Sequence, residues 1–145
     1  MRAVLDTNVV VSALLWGGTP ELILQRARAG ELQLATSPAL IAELAGILNR
    51  RKFAAKLAQS NSSPAEVVAL YTQLAHTIEA DAPAPSALRD PDDAAVLACA
   101  LAARADCIVS GDDDLLTLGS YQGIPILSAA QCLQRLDAQS ENPSP

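Results

Sequence analysis

Short apolar runs alternate with helix-forming segments along most of this chain, and that alternation leaves few folds open to it. Ala3-Val4-Leu5 reads as a buried strand ending at Asp6, and Leu32–Thr36 as a second strand. Asp106–Val109 supplies another, Thr77–Glu79 a short edge strand, and Ile124–Leu127 a last edge strand, because Pro125 lacks a donor for a ladder. Between them lie helix signals. Val9–Leu15 is stopped by Gly17-Gly18. Thr19-Pro20 reads as cap plus first helical residue of a helix ending before Gly30. Ser37-Pro38 opens a helix to about Leu48, and Ser63-Pro64 opens one to about Ala75. Arg50–Leu57 suggests a short basic helix, Asp93–Ala103 a strong one and Asp114–Leu118 a single turn; Ser128 caps a closing helix to about Leu136. Strands that alternate with helices predict a three-layer α/β/α sandwich around a central, mostly parallel sheet. Asp81–Leu88, rich in Pro and Ala, is expected to be an extended connection.

A length of 145 residues suits one core, so residues 1–137 are expected to form a single domain and the polar stretch 138–145 to fray. Aromatics are 3% of the chain (Trp16, Phe53, Tyr71 and Tyr121), so the core must be aliphatic and rich in Ala. Cys99, Cys107 and Cys132 are odd in number, without close pairing, and read as reduced core thiols, which implies a cytoplasmic protein. The apolar stretch Val9–Trp16 is too short for a membrane span and follows Asp6 rather than a basic leader, so neither membrane insertion nor a signal peptide is expected.

In parallel sheets of this kind the working site lies beyond the carboxyl ends of the strands. Asp6 and Asp112 both fall there, although more than a hundred residues separate them. Glu43 sits beside the apolar stripe of its helix, and Asp93 opens the helix that runs to Ala103. Carboxylates brought together repel unless protonated or neutralised, and hard oxygen donors suit Mg²⁺ or Mn²⁺. Zinc lacks its usual ligands, since His76 is the only histidine. Asn8, Thr7 and Ser110 stand ready to hydrogen-bond a ligating carboxylate or its water. The net charge of −6 sits awkwardly with a nucleic-acid substrate. Much of it lies in two clusters, Asp90, Asp92 and Asp93, and Asp112, Asp113 and Asp114, where cations would neutralise it. The basic residues Arg50, Arg51, Lys52 and Lys56 are clustered too, and could line a substrate groove, with Arg89 nearby.

Leu5-Asp6-Thr7-Asn8-Val9, Glu43-Leu44, Arg89-Asp90-Pro91-Asp92-Asp93 and Ile108–Leu116, in this order and spacing, resemble the PIN-domain family. The likeness covers about residues 1–136 and is greatest to the toxins of bacterial and archaeal toxin–antitoxin pairs, the VapC-like ribonucleases. It implies that Asp6, Glu43, Asp93 and Asp112 are the catalytic, metal-binding acids, with Asp114 as an auxiliary acid. Asp92, and more weakly Asp90, compete for the place of Asp93; Asn8 and Ser110 match supporting polar positions. The resemblance further implies Mg²⁺- or Mn²⁺-dependent cleavage of single-stranded RNA, homodimerisation and neutralisation by a small antitoxin protein.

Two other readings stand beside it. One is a PIN-like module that binds RNA or protein with little cleavage. The other is an aspartyl phosphotransferase or phosphatase in which Asp6 is phosphorylated, although Asn8 replaces the second acid expected there and no suitable later lysine follows.

Overall fold

The computed structural model describes residues 1–80 and 91–141; for Pro91, Asp92, Ser140 and Glu141 it describes the backbone alone. The expected connection over 81–88, together with Arg89 and Asp90, lies outside the described residues. The elements run β1 (Arg2–Leu5), α1 (Thr7–Leu15), α2 (Thr19–Arg28), β2 (Gln33–Thr36), α3 (Pro38–Leu48), α4 (Arg51–Gln59) and α5 (Pro64–Leu74). They continue with β3 (His76–Thr77), α6 (Pro91–Ala103), β4 (Cys107–Val109), α7 (Asp113–Leu118), β5 (Ser120–Tyr121), β6 (Ile124–Leu127) and α8 (Ala129–Glu141).

The strands form one six-stranded sheet in the order β3-β2-β1-β4-β6-β5. Every pairing is parallel except the hairpin of β5 with β6. Alternate side chains along each central strand enter different cores, as the two-residue period of a strand requires. Ala3, Leu5, Leu34, Cys107, Val109 and Leu127 join the side chains of α1 to α5 and α8. Val4, Ala35, Ile108 and Ile126 turn to the other face and meet Val96, Leu97 and Ala100 of α6 and Leu115 of α7. This is the three-layer α/β/α sandwich. Among the described residues no single helix is long and apolar enough to cross a membrane.

Several helix starts follow their sequence signals. Ser37 accepts a hydrogen bond from the Leu40 N–H, and Ser63 from that of Glu66, each with Pro next. Gly30, at φ 81°, closes α2, with its own N–H on the Ala27 carbonyl and that of Glu31 on Arg26. Elsewhere the structure corrects the expectation. Gly18, not Thr19, is the cap of α2, because the two left-handed glycines at 17 and 18 already turn the chain there. β6 is not an edge strand: β5 pairs outside it through Gln122-Gly123, both at positive φ, the geometry of a tight hairpin turn. Pro125 is accommodated because pairing of β6 with β4 begins one residue later, at Ile126. β3 lies one residue earlier than expected, and α8 continues past Leu136 to Glu141, held to α2 by Arg26, 2.8 Å from Asp137.

All three cysteines are free and buried. Cys107 on β4 and Cys132 on α8 share a thiol–thiol hydrogen bond, which raises the first and lowers the second. Burial pushes the Cys99 thiol up to about 11, opposed by a hydrogen bond with Ser37, and burial likewise raises the Tyr71 phenol beside it. Both groups hold their protons more tightly folded than unfolded. The contribution of Cys99 is therefore complete below the ordinary thiol value of 9.0 and is lost as pH rises through about 11, while that of Tyr71 is complete below 10.0 and is lost at higher pH still. Urea midpoints should fall across that window, and Cys99→Ala should make the fall shallower; a flat profile to pH 11 would contradict this burial effect.

Candidate functional site at the carboxyl edge

The site is built where β1 and β4 end side by side. The Asp6 N–H donates to the Val109 carbonyl at 2.8 Å, and that of Ser110 to Leu127 at 2.9 Å, so the ladders extend one residue beyond the strands. Asp6 is also the residue preceding α1, with extended backbone, and its carbonyl accepts the N–H groups of Val9 and Val10. Its carboxylate does not cap the helix. Instead Ser110 Oγ donates to Asp6 Oδ2 at 2.9 Å, and the same hydroxyl accepts the Asp112 N–H at 3.0 Å. Asp112 Oδ1 in turn caps α7 by accepting the Asp114 N–H at 2.8 Å. One buried serine therefore ties together the two strand-end acids that the sequence separates most widely.

Glu43 and Asp93 reach the same edge by another route. α3 leaves the carboxyl end of β2, and Glu43 is half-buried in its second turn. α6 must run back across the sheet to begin β4, which is parallel to β1, so its first turn, containing Asp93, lies at the carboxyl edge. Asp93 is 5% exposed and Asp6 6%, whereas Asp112 is half-buried and Asp114 exposed. Asp6 and Asp93 are thus both buried at this edge of the sheet, where a carboxylate requires compensation. Asp90 and the side chain of Asp92 lie outside the described residues, so the rivalry with Asp93 is not decided by position. Among the described residues, no three His, Cys, Asp or Glu side chains gather closely enough to hold an ion by themselves.

The donor set nonetheless fits a hard cation. It consists of carboxylate and hydroxyl oxygens, without sulfur or imidazole, and His76 is exposed on β3 at the far end of the sheet. Thr7, 1% exposed at the start of α1, carries a hydroxyl with no hydrogen-bond partner among the described residues. An orphaned buried oxygen next to a buried carboxylate is what a bound water or ion would satisfy. A cleft of about 410 Å³ opens here, lined by Asn8, Ser12, Pro20, Ser110, Asp112 and Ser128. Sequence reasoning found Asn8 but missed Ser12, one helical turn further along the same face of α1. A larger cavity of about 710 Å³ between α3 and α5 has an apolar lining and none of these acids.

The basic cluster occupies α4. Phe53 and Leu57 bury one face, leaving Arg50, Arg51 and Lys52 exposed and Lys56 half-exposed. None of the four makes an ion pair with a described residue.

Ser110→Ala removes the donor to Asp6 and the acceptor for the Asp112 N–H together. It should weaken divalent-cation affinity by about 10- to 100-fold, the usual cost of losing a group that orients a ligand. Calorimetric titration with Mn²⁺ checks this; unchanged affinity would show that Ser110 is merely a packing residue.

An α/β/α sandwich with acids at the ends of its two central strands defines the class. The chain belongs to the PIN domain family, whose profile matches residues 2–114, a span that includes every acid discussed from Asp6 to Asp114. No curated protein matches the sequence. Among solved structures, the fold is similar to a chain of VapBC2 from Rickettsia felis bound to a DNA fragment from their promoter. The TM-score is 0.58 at 17% identity, over 87% of this chain and 97% of that one.

Proposed function

We propose that this PIN domain is a Mg²⁺- or Mn²⁺-dependent endoribonuclease acting on single-stranded RNA, with the metal held by Asp6, Glu43, Asp93 and Asp112. The observation that carries the reading is the buried Asp6 carboxylate, hydrogen-bonded by Ser110 and placed beside Asp112 at the strand ends. A divalent cation bound there would acidify a water and balance charge on the scissile phosphate. The protein's own part is orientation. Ser110 fixes the direction of Asp6, the cap on α7 fixes Asp112, and Asn8 and Ser12 offer polar contacts along the cleft wall. Asp114 stands next to Asp112 as an auxiliary acid. Arg50, Arg51, Lys52 and Lys56 supply phosphate contacts that offset the net charge of −6, and Arg89 is a further candidate.

The family, and the fold likeness to a VapBC2 chain, support a toxin neutralised by a small antitoxin protein, working as a homodimer in the cytoplasm, where its thiols stay reduced. Incubation of purified protein with varied single-stranded RNAs and either metal should give cleavage that EDTA abolishes. Inactivity on all of them would favour a binding module. That second reading draws on one observation: among the described residues, the acids do not form a ready-made ion cluster.

A further inference from the structure

Trp16 is the only tryptophan and is 57% exposed, at the end of α1. A lone exposed apolar side chain is ordinary on a protein surface, and only its neighbours can give it a use. Its surroundings indicate which use. The indole meets the Phe53 ring edge-on at 5.4 Å between centroids, and Lys52 Nζ lies 5.1 Å from the centre of the same ring. The exposed indole and the Lys52 ammonium thus both pack on the Phe53 ring at the start of α4. From Leu44 to Ala65 the chain has no acidic residue, while Arg50, Arg51, Lys52 and Lys56 all fall within it. On a chain of net charge −6, this is the face that complements a polyanion.

Asn8 and Ser12 line the cleft, and Trp16 continues their line at the next four-residue step, rotated only about 40° per step. Asn8 and Trp16 stand about 12 Å apart along the helix axis, roughly the length of three or four stacked nucleotides. Gly17 and Gly18, both at positive φ, turn the chain by 90° into α2 directly after the indole, so Trp16 sits at a corner rather than along a packed helix.

We propose that Trp16 is a stacking platform for one base of a single-stranded RNA, with Lys52 and Arg51 holding the adjoining phosphates and the strand running along α1 to the acid edge. This rests on the ribonuclease reading above and adds a positioning residue to it. A flat aromatic beside cations is the recurring device for holding unpaired nucleotides.

Because Trp16 is the sole tryptophan, its emission reports the contact directly. Oligouridylate titrated into the wild-type protein in EDTA, which prevents cleavage, should quench the emission. An abasic ribose-phosphate oligomer of equal length should bind without quenching. Trp16→Ala should weaken oligouridylate binding about tenfold, as expected for loss of one base–aromatic stack, while Trp16→Phe retains most of the affinity. Circular dichroism confirms that both variants fold. If a labelled oligouridylate binds with wild-type affinity to Trp16→Ala, or binds wild type without quenching, the platform is wrong and the ribonuclease reading stands. If no RNA binds the wild-type protein at all, both fall together, and Trp16 belongs to a protein-binding surface.

Discussion

Asp6→Asn is expected to lower cation-dependent RNA cleavage by roughly 10²- to 10³-fold, the order lost when one preorganised electrostatic group is removed from an active site. The fold should survive the change. Asn keeps a side-chain oxygen to accept the Ser110 hydroxyl, and the backbone bonds of Asp6 to Val109, Val9 and Val10 do not involve the side chain. Stability should therefore change far less than activity, because the Ser110 contact and the backbone bonds persist. Parallel cleavage assays and urea melts read both. Undiminished cleavage would remove Asp6 from the site, and an unfolded variant would make it a structural residue.

Leu97→Ala should have the largest effect on stability, about 2–5 kcal/mol, as for other large-to-small changes in a packed core. Leu97 is fully buried on α6, in the core that contains Val4, Ile108 and Ile126 of three different strands. A domain of this size has about 5–15 kcal/mol in total, so the loss takes a substantial share. Leu97 also follows Asp93 by one helical turn, on the same face of α6. The variant should thus lose cleavage more steeply with temperature than wild type does. Leu70→Ala on α5, at a residue 59% exposed, should change stability by no more than about 0.5 kcal/mol. Equal urea midpoints for the two variants would mean that the second core does not hold α6 in place.

Much of this architecture was legible in the residues because the signals were local. Ser37-Pro38 and Ser63-Pro64 announce helix starts through a side-chain acceptor and a fixed φ, and both caps form. Ala3-Val4-Leu5 and Cys107-Ile108-Val109 are runs too apolar for anything but buried strands, and they pair directly. What escaped was set by tertiary context. Tyr121-Gln122-Gly123 lacks the Asn-Gly or Asp-Gly of an obvious hairpin, so the sequence does not announce β5, and Pro125 alone points to an edge position for β6. Gly18 displaced Thr19 as a cap because the bend at Gly17-Gly18 had already set the backbone.

For the site, strand-end placement of Asp6 and Asp112 followed from periodicity, but the bridging role of Ser110 depended on bonds across 104 residues of sequence. Glu43 and Asp93 reach the same edge through topology. In the sequence Trp16 is only one of few aromatics. Its exposure and its contact with Phe53 are properties of the packed α1–α2 corner, which no local pattern encodes.

The central claim is that this edge holds a divalent cation through Asp6. Calorimetric titration of Mn²⁺ into wild type and Asp6→Asn tests it without reference to any RNA. Saturable binding to wild type is expected, with a rise in the unfolding temperature as free cation exceeds the dissociation constant, and loss of both in the variant. Absence of binding to wild type, or equal binding to the two proteins, would contradict it.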